Sequence, residues 1–486
     1  MVHAHNGTAP YDLLVIGAGG AGSTAAGEAI GRGARVAMVE RWKVGGTCLN
    51  VGCDPTKTLV RSAEVAHLAR HSARFGITVP EVTPDWAAVN ARVERVIDTI
   101  RGGDGDKNVR DSGVALYKGN ARFVSPHAVE VNGEILRAEK IIVATGASTV
   151  VPPIAGLMET GFITNVEAVA LPKLPRSLAI IGGGVVAVEF AQIFARFGVE
   201  VSILGSNPQL LPGEEEELSA ALRAVLEREG IRVETGGRGS KIERRPDGKR
   251  LTGERDGVAV EVVADEILLA AGRRPAVNGL GLDLARVAFD EKGIAVDAAM
   301  RTSQPHIWAI GDVVAHGYPF THVADYQARI AEHNALGGAP ERHADYAAVP
   351  WAVFTDPELA RVGLTERQAR DAGFDVKCAT VHVRDLARAI AAGETDGLVK
   401  LVSDRASGRL LGGHILAARG GELLGEVALA VRLGLPAAAL AETMHAYPTL
   451  SEAVFWAAFE LAKPDDAAMA AMRGHQAAFA DVPDDL

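Results

Sequence analysis

Tyr11-Asp12-Leu13-Leu14-Val15-Ile16-Gly17-Ala18-Gly19-Gly20-Ala21-Gly22 reads as an apolar strand that runs through a glycine-rich turn into an alanine-rich helix. The three glycines of the pattern have separate jobs. Gly17 permits the tight turn, Gly19 lets backbone approach a pyrophosphate, and Gly22 lets helix and strand pack closely. Glu40 ends the next strand (35–39), at the spacing where an acid binds a ribose hydroxyl. The same plan returns at Leu178-Ala179-Ile180-Ile181, which runs into Gly182, Gly184 and Ala187 and a helix through Arg196. Two strand–loop–helix units predict an α/β protein with two doubly wound, Rossmann-like dinucleotide-binding domains. In the second unit the strand 199–204 ends in Gly205-Ser206-Asn207, without a carboxylate or an arginine. A 2′-phosphate is not repelled there, and Ser206 and Asn207 can donate to it. The expected donor is NADPH, with NADH possible.

Between the two units lies Gly45-Gly46-Thr47-Cys48-Leu49-Asn50-Val51-Gly52-Cys53-Asp54-Pro55-Thr56-Lys57. Cysteines at i and i+5 with Gly52 between them meet only on a distorted helical turn, which suits a bond that opens easily. The thiolate is the working form of such a pair. Two unpaired packing cysteines are the plain alternative. Cys378, in the alternating run 375–383, is expected to be a buried packing residue. Three cysteines in 486 residues exclude a stapled secreted scaffold. A net charge of −11 gives no support for nucleic-acid or anionic-membrane binding. No apolar run is long enough to span a bilayer, and residues 1–10 lack a signal-peptide core, so the expected address is cytoplasmic.

The remaining chain divides by pattern. Residues 129–148 suit a small meander that returns to the first sheet. Residues 214–229 read as a helix whose acidic run is a solvated face. From about residue 350, strands (399–402, 410–417) precede apolar helices (421–433, 450–461), an α+β domain whose broad apolar helix faces are the expected oligomer interface. The expected division is a FAD-binding domain in 1–155 and 280–347, a nicotinamide-nucleotide domain in 156–279, a dimerisation domain in 348–464 and a tail in 465–486.

These motifs, in this order over residues 11–463, resemble the flavin-dependent class I pyridine nucleotide-disulfide oxidoreductases, the family of lipoamide dehydrogenase, glutathione reductase and mercuric reductase. The resemblance implies that Gly17, Gly19, Gly22, Glu40, Gly46 and Thr47 bind FAD. Thr145 and Gly146 resemble one of the family's strand-end connectors. Gly311 and Asp312 resemble the second FAD motif, with Asp312 on the flavin's ribityl chain. Gly182, Gly184, Ala187, Ser206, Asn207 and Gly272 are then the NADPH side. Lys57 and Glu189 match the pair that sits near the reactive flavin nitrogen. Cys53 would face the flavin, and Cys48 would exchange with the substrate. Asp54 departs from the family's usual aliphatic residue; at about 4 Å a carboxylate opposes a thiolate by roughly 4 kcal/mol at an effective dielectric near 20.

The disulfide-reducing members carry a histidine immediately before a C-terminal-domain proline, held by a glutamate five residues on. Here Tyr447 precedes Pro448, Glu452 follows, and His445 stands two residues upstream, expected to point the same way as Tyr447 but displaced. A tyrosine, with a reference pKa about 10, is a poor base near neutrality. Mercuric reductases carry a tyrosine at this spacing, and a soft metal ion held by Cys48 and Cys53 needs no proton returned to a leaving thiol. The expected activity is soft-metal reduction by a homodimer with shared active sites, Tyr447 and Glu452 coming from the partner. Reduction of a small disulfide or dithiol is the alternative, with His445 or water as base. The chain lacks the C-terminal cysteine pair typical of mercuric reductases, since no cysteine follows Cys378. Two further readings are a docking component of a multienzyme complex and a redox sensor with little turnover.

Overall fold

The structure is a computed structural model that describes residues 10–255 and 257–463; the tail expected at 465–486 lies outside the described residues. The strand Tyr11–Ile16 is the centre of a parallel sheet, flanked by Val36–Glu40 on one side and Glu134–Val143 on the other. Ala115–Lys118 extends one edge and Ile307–Ala309 the other, so residues far along the chain return to the first sheet. Buried on both faces, these strands are the near-continuous apolar runs expected of a parallel sheet. The ten-residue strand Glu134–Val143 does two jobs. Its second half pairs in parallel with Tyr11–Ile16, and its first half pairs antiparallel with Ala128–Val131, the expected meander.

The second unit has the parallel order Arg232–Thr235, Glu200–Gly205, Ser177–Ile181, Glu266–Leu269. An antiparallel three-stranded sheet, Arg238–Arg245, Gly248–Arg255 and Val258–Ala264, is attached to it. The C-terminal part is a five-stranded antiparallel sheet backed by the helices Gly420–Leu433 and Glu452–Ala462. Cys378 lies in its strand Val376–His382, half-buried, and burial pushes its thiol up to about 12.

One apolar core joins three regions. Val51 and Leu59 of the cysteine segment pack with Phe190 and Phe194 of the second unit and with Val353, Leu359 and Leu398 of the C-terminal sheet. That core fixes the cysteines relative to both neighbours.

The acidic run corrects the expectation of a solvated face. The helix is Glu216–Arg228, and the two glutamates before it turn inward. Glu214 accepts from Trp351 Nε1 at 2.9 Å, and Glu215 pairs with buried Lys400 at 3.0 Å. Lys400 also meets Glu217 and Glu366, which explains the surplus of carboxylates that sequence patterning assigned to solvent.

Candidate active site

The fingerprint glycines are required by geometry at two of their three positions. Gly17 has φ +106°, and a Cβ there would lie 2.3 Å from the Ala144 carbonyl oxygen. A Cβ on Gly22 would lie 1.9 Å from the carbonyl oxygen of Gly17. Gly19 is different: it caps the helix Gly20–Gly31 in an extended conformation, without a side-chain cap, and space is open where a Cβ would be. Gly184 does the same for the helix Val185–Arg196, while Gly182, at φ +134°, approaches the Ala270 carbonyl. Each helix thus presents uncapped N–H groups to open space, which suits a pyrophosphate. The residues present fit one dinucleotide at each site. Ala187 is fully buried and serves as the third position of the second site.

Glu40 is 7% exposed, and its carboxylate accepts from the backbone N–H of Ala18 at 2.8 Å and of Trp42 at 2.7 Å. It therefore braces the glycine turn. Its counterpart region, Ser206 and Asn207, is exposed.

The cysteine segment is docked directly on the first turn. Gly45 N–H donates to the Ala18 carbonyl at 2.8 Å, and Gly46 comes so close that a Cβ on it would lie 2.9 Å from Gly19 Cα. Thr47 and Cys48 follow in the helix Gly46–Val51. Gly52, at φ −123° and ψ −107°, breaks it, and Cys53 opens the long helix Cys53–Arg70. This is the distorted turn the spacing implies. Both cysteines are half-buried free thiols.

The two sulfurs share a proton unequally. Cys48, as hydrogen-bond donor to Cys53, holds the Cys53 thiol down to about 6, with Thr321 and Lys57 acting the same way against burial. Cys48 itself is pushed strongly up, first by that hydrogen bond and then by burial. Asp54 raises both thiols but ranks last among the causes, and burial raises its own carboxyl. An inward Asp54 calls for either a raised Cys53 or a cation in the site; Lys57 is that cation, and together with the donors around Cys53 it outweighs one carboxylate.

Lys57, one turn after Cys53, donates to Glu189 at 2.8 and 3.0 Å, and Glu189 also accepts from Phe354 N–H at 2.9 Å. Lys57 Nζ stands 4.5 Å from the Phe354 ring centroid. Sequence alone did not reveal Thr321, whose Oγ1 is 3.5 Å from Cys53 Sγ; it starts the helix Thr321–Ala335 and carries no local motif. Buried Gln327 on the same helix accepts from Gly311 N–H at 2.7 Å and so fixes the turn that carries Asp312. Asp312 lies 3.6 Å from Arg273, and burial raises its carboxyl. Thr145 Oγ1 donates to the Ala276 carbonyl at 2.9 Å. Gly146 (φ +69°) and Gly272 (φ +111°) allow the adjoining connectors to turn.

Two expectations about the C-terminal site change. His445 and Tyr447 do not point the same way. His445, with a side chain only 7% exposed, packs on Phe455 and meets Glu426 at 2.9 Å, whereas Tyr447 is 76% exposed. His445 Nδ1 bonds the Thr443 carbonyl and Thr449 Oγ1 the Ala446 carbonyl, and the chain bends at Tyr447 and Pro448 into a turn. Glu452 accepts from the Thr449 backbone N–H at 3.2 Å within that turn. Tyr447, Met444, Leu429 and Leu433 are large apolar side chains left exposed in this part of the chain. No helix among the described residues is long and apolar enough to cross a membrane.

Comparison with known proteins agrees with this geometry. Residues 11–328 match the pyridine nucleotide-disulphide oxidoreductase family model, and residues 349–458 match that family's dimerisation domain. The chain is 36% identical to a mercuric reductase of Bacillus cereus over 92% of its own length and 70% of that protein. It is 39% identical to a dihydrolipoyl dehydrogenase of Thermus scotoductus over 93% of its length and 98% of that protein. Among solved structures, the Cu(II) complex of the HOCl-induced flavoprotein disulfide reductase RclA from Escherichia coli superimposes with a TM-score of 0.83 at 32% identity, covering 94% of this chain and all of that one. The chain therefore belongs to the pyridine nucleotide-disulphide oxidoreductases, FAD-dependent enzymes that draw on a pyridine nucleotide and carry a dimerisation domain.

Proposed function

We propose that this chain is a mercuric-reductase-like, NADPH-dependent oxidoreductase that delivers two electrons to a soft metal ion held by Cys48 and Cys53. The observation that carries this reading is the state of the C-terminal turn. His445 is committed to Glu426 inside its own subunit, and the exposed side chain before Pro448 is a tyrosine. Disulfide reduction needs a base that returns a proton to a leaving thiol near neutral pH. A soft ion bound by two thiolates has no such need.

Bound FAD supplies the two-electron carrier between nicotinamide and sulfur. Gly17, Gly19, Gly22, Glu40, Gly46, Thr47, Thr145, Gly146, Gly311 and Asp312 hold it, with FAD-binding segments in 1–155 and 280–347. Gly182, Gly184, Ala187, Ser206, Asn207 and Gly272 hold the nicotinamide nucleotide within 156–279. The Cys48 hydrogen bond, then Thr321 and the Lys57 cation that Glu189 fixes in place, favour Cys53 as the thiolate. Cys48 is the sulfur that exchanges with the acceptor, as the family resemblance implies, and it gives up its proton as the ion binds. Residues 348–464 form a homodimer through the apolar surface around Leu429 and Leu433, and Tyr447 and Glu452 of each subunit serve the other's cysteines.

A disulfide or dithiol substrate remains the second reading, favoured by the dihydrolipoyl dehydrogenase and disulfide reductase relatives. NADPH oxidation with thiol-complexed Hg(II), lipoamide and oxidised glutathione separates the two. Turnover on Hg(II) well above both disulfides is the expected result; the reverse order overturns the metal reading and returns attention to His445.

A further inference from the structure

The two nucleotide sites can be aligned residue by residue through their hydrogen bonds. Ile16 pairs with Val39, and Gly17 N–H donates to the Val39 carbonyl at 2.8 Å. Ile181 pairs with Leu204, and Gly182 N–H donates to the Leu204 carbonyl at 2.9 Å. Gly205 is therefore the structural counterpart of Glu40, and the acid that would meet a ribose 2′-hydroxyl is missing at that position.

The fold brings the backbone of Arg238, a cation far from this strand end in sequence, next to it. Gly236 N–H donates to the Asn207 carbonyl at 2.7 Å, and Gly237 N–H to the Gly205 carbonyl at 3.2 Å. Arg238 follows at once, exposed, at the start of the strand Arg238–Arg245. Its carbonyl oxygen would lie 2.3 Å from a Cβ on Gly253, so that glycine permits the close pairing that holds Arg238 at this edge.

Four arginines surround this edge, and three are already engaged: Arg223 donates to Thr235 Oγ1 at 3.0 Å and to the Val233 carbonyl at 3.1 Å. Arg232 and Arg255 both bind Glu234, at 2.9 and 2.8 Å. Arg238 makes no side-chain hydrogen bond or ion pair among the described residues, although Glu254 is opposite it in the ladder. A guanidinium binds phosphate bidentately and loses little when the fork is free beforehand.

We infer that Arg238 is the residue that selects the phosphorylated nucleotide, binding the 2′-phosphate of NADPH beside Ser206 and Asn207. This rests on the NADPH reading above and adds the residue that produces it.

The test is isothermal titration of the FAD-loaded enzyme with NADP+ and with NAD+, for the wild type, Arg238→Ala and Gly205→Glu. Removing one charge-assisted bond should lower the NADP+/NAD+ affinity ratio at least about tenfold in Arg238→Ala. Arg238→Lys should recover part of the ratio. Gly205→Glu should invert the preference. A Cβ there meets only ordinary contacts, 3.5 Å from Gly183 Cα, and retained NAD+ binding reports a folded site. A wild type that prefers NADP+ with an unchanged ratio in Arg238→Ala overturns the assignment of Arg238 alone. A wild type that prefers NAD+ overturns the NADPH reading, and this inference with it.

Discussion

The two dinucleotide-binding halves share a plan and differ in what fills it. Both place a glycine at positive φ against a carbonyl of the neighbouring strand, and both leave the second glycine open to a ligand. The first half then seals its turn with Glu40 and Gly22, and docks the cysteine segment on it through Gly45 and Gly46. The second half has Gly205 and Ala187 in those places and carries no such insertion. The reactive sulfurs belong to the first half, and the Lys57–Glu189 pair ties them to the second.

The third fingerprint position should separate the halves most sharply. Gly22→Ala puts a methyl carbon where only 1.9 Å exists to the Gly17 carbonyl, so the turn must open. We expect a loss of roughly 3 kcal/mol or more and a largely FAD-free protein. Thermal unfolding and the flavin-to-protein absorbance ratio measure both; a fully flavinated, stable variant would contradict the close packing assigned to the first half.

Breaking the tie between the halves comes next. Lys57→Met leaves the Glu189 carboxylate, 3% exposed, with the Phe354 N–H as its remaining partner. The expected cost is about 3 kcal/mol, read from denaturant unfolding. Restoring a neutral pair with Lys57→Met/Glu189→Leu should recover much of it, because an unpaired buried charge costs more than an apolar replacement. If the double variant is no better than the single, the pair is not the source of the loss.

What the sequence made legible follows from how local each signal is. Strand, turn and helix of each fingerprint lie within a dozen residues, so period and glycine spacing expose them, and Cys48 and Cys53 fall within one broken helix. Thr321 and Arg238 carry no such signal. One is 268 residues from the sulfur it touches, and the other reaches its site through a two-glycine turn from a neighbouring strand. The acidic run at 214–217 misled because charge patterning cannot register Lys400, nearly two hundred residues on, as a buried partner. His445 departs from the shared direction expected of it because Glu426, 19 residues upstream, engages its ring, a partner that local spacing does not register.

Smaller changes sharpen the contrast without breaking either half. Glu40→Gln loses one of the two backbone donors, since the amide nitrogen cannot accept, for about 1.5 kcal/mol and a weaker hold on FAD. Ala187→Gly, in the second half, removes a buried methyl and adds helix entropy for about 1 kcal/mol. That variant should keep its flavin, so the measurement to make is the nucleotide affinity beside the FAD content. Loss of flavin from Ala187→Gly would show that the two halves are not separable.

The finest test concerns a group that only the first half possesses. Thr321 arrives on the returning helix and lends its hydroxyl to Cys53, one of three influences that hold that thiol near 6 against an ordinary value of 9.0. A thiolate is the species that reacts with iodoacetamide, so the alkylation rate of the reduced enzyme should rise through an inflection near pH 6. Thr321→Ala removes a donor to the charged form, and the inflection should move upward, toward the ordinary thiol. The sign follows from which state is stabilised: the variant reacts more slowly between pH 6 and 8 and converges with the wild type above pH 9, where either thiol is ionised. The Cys48 hydrogen bond is the largest influence, and it remains in place, so the shift stays well short of the full distance. Peptide mapping assigns the modified sulfur. An inflection that does not move would mean that the hydroxyl faces the flavin side rather than the thiolate, and that Lys57 and Cys48 suffice to hold the charge.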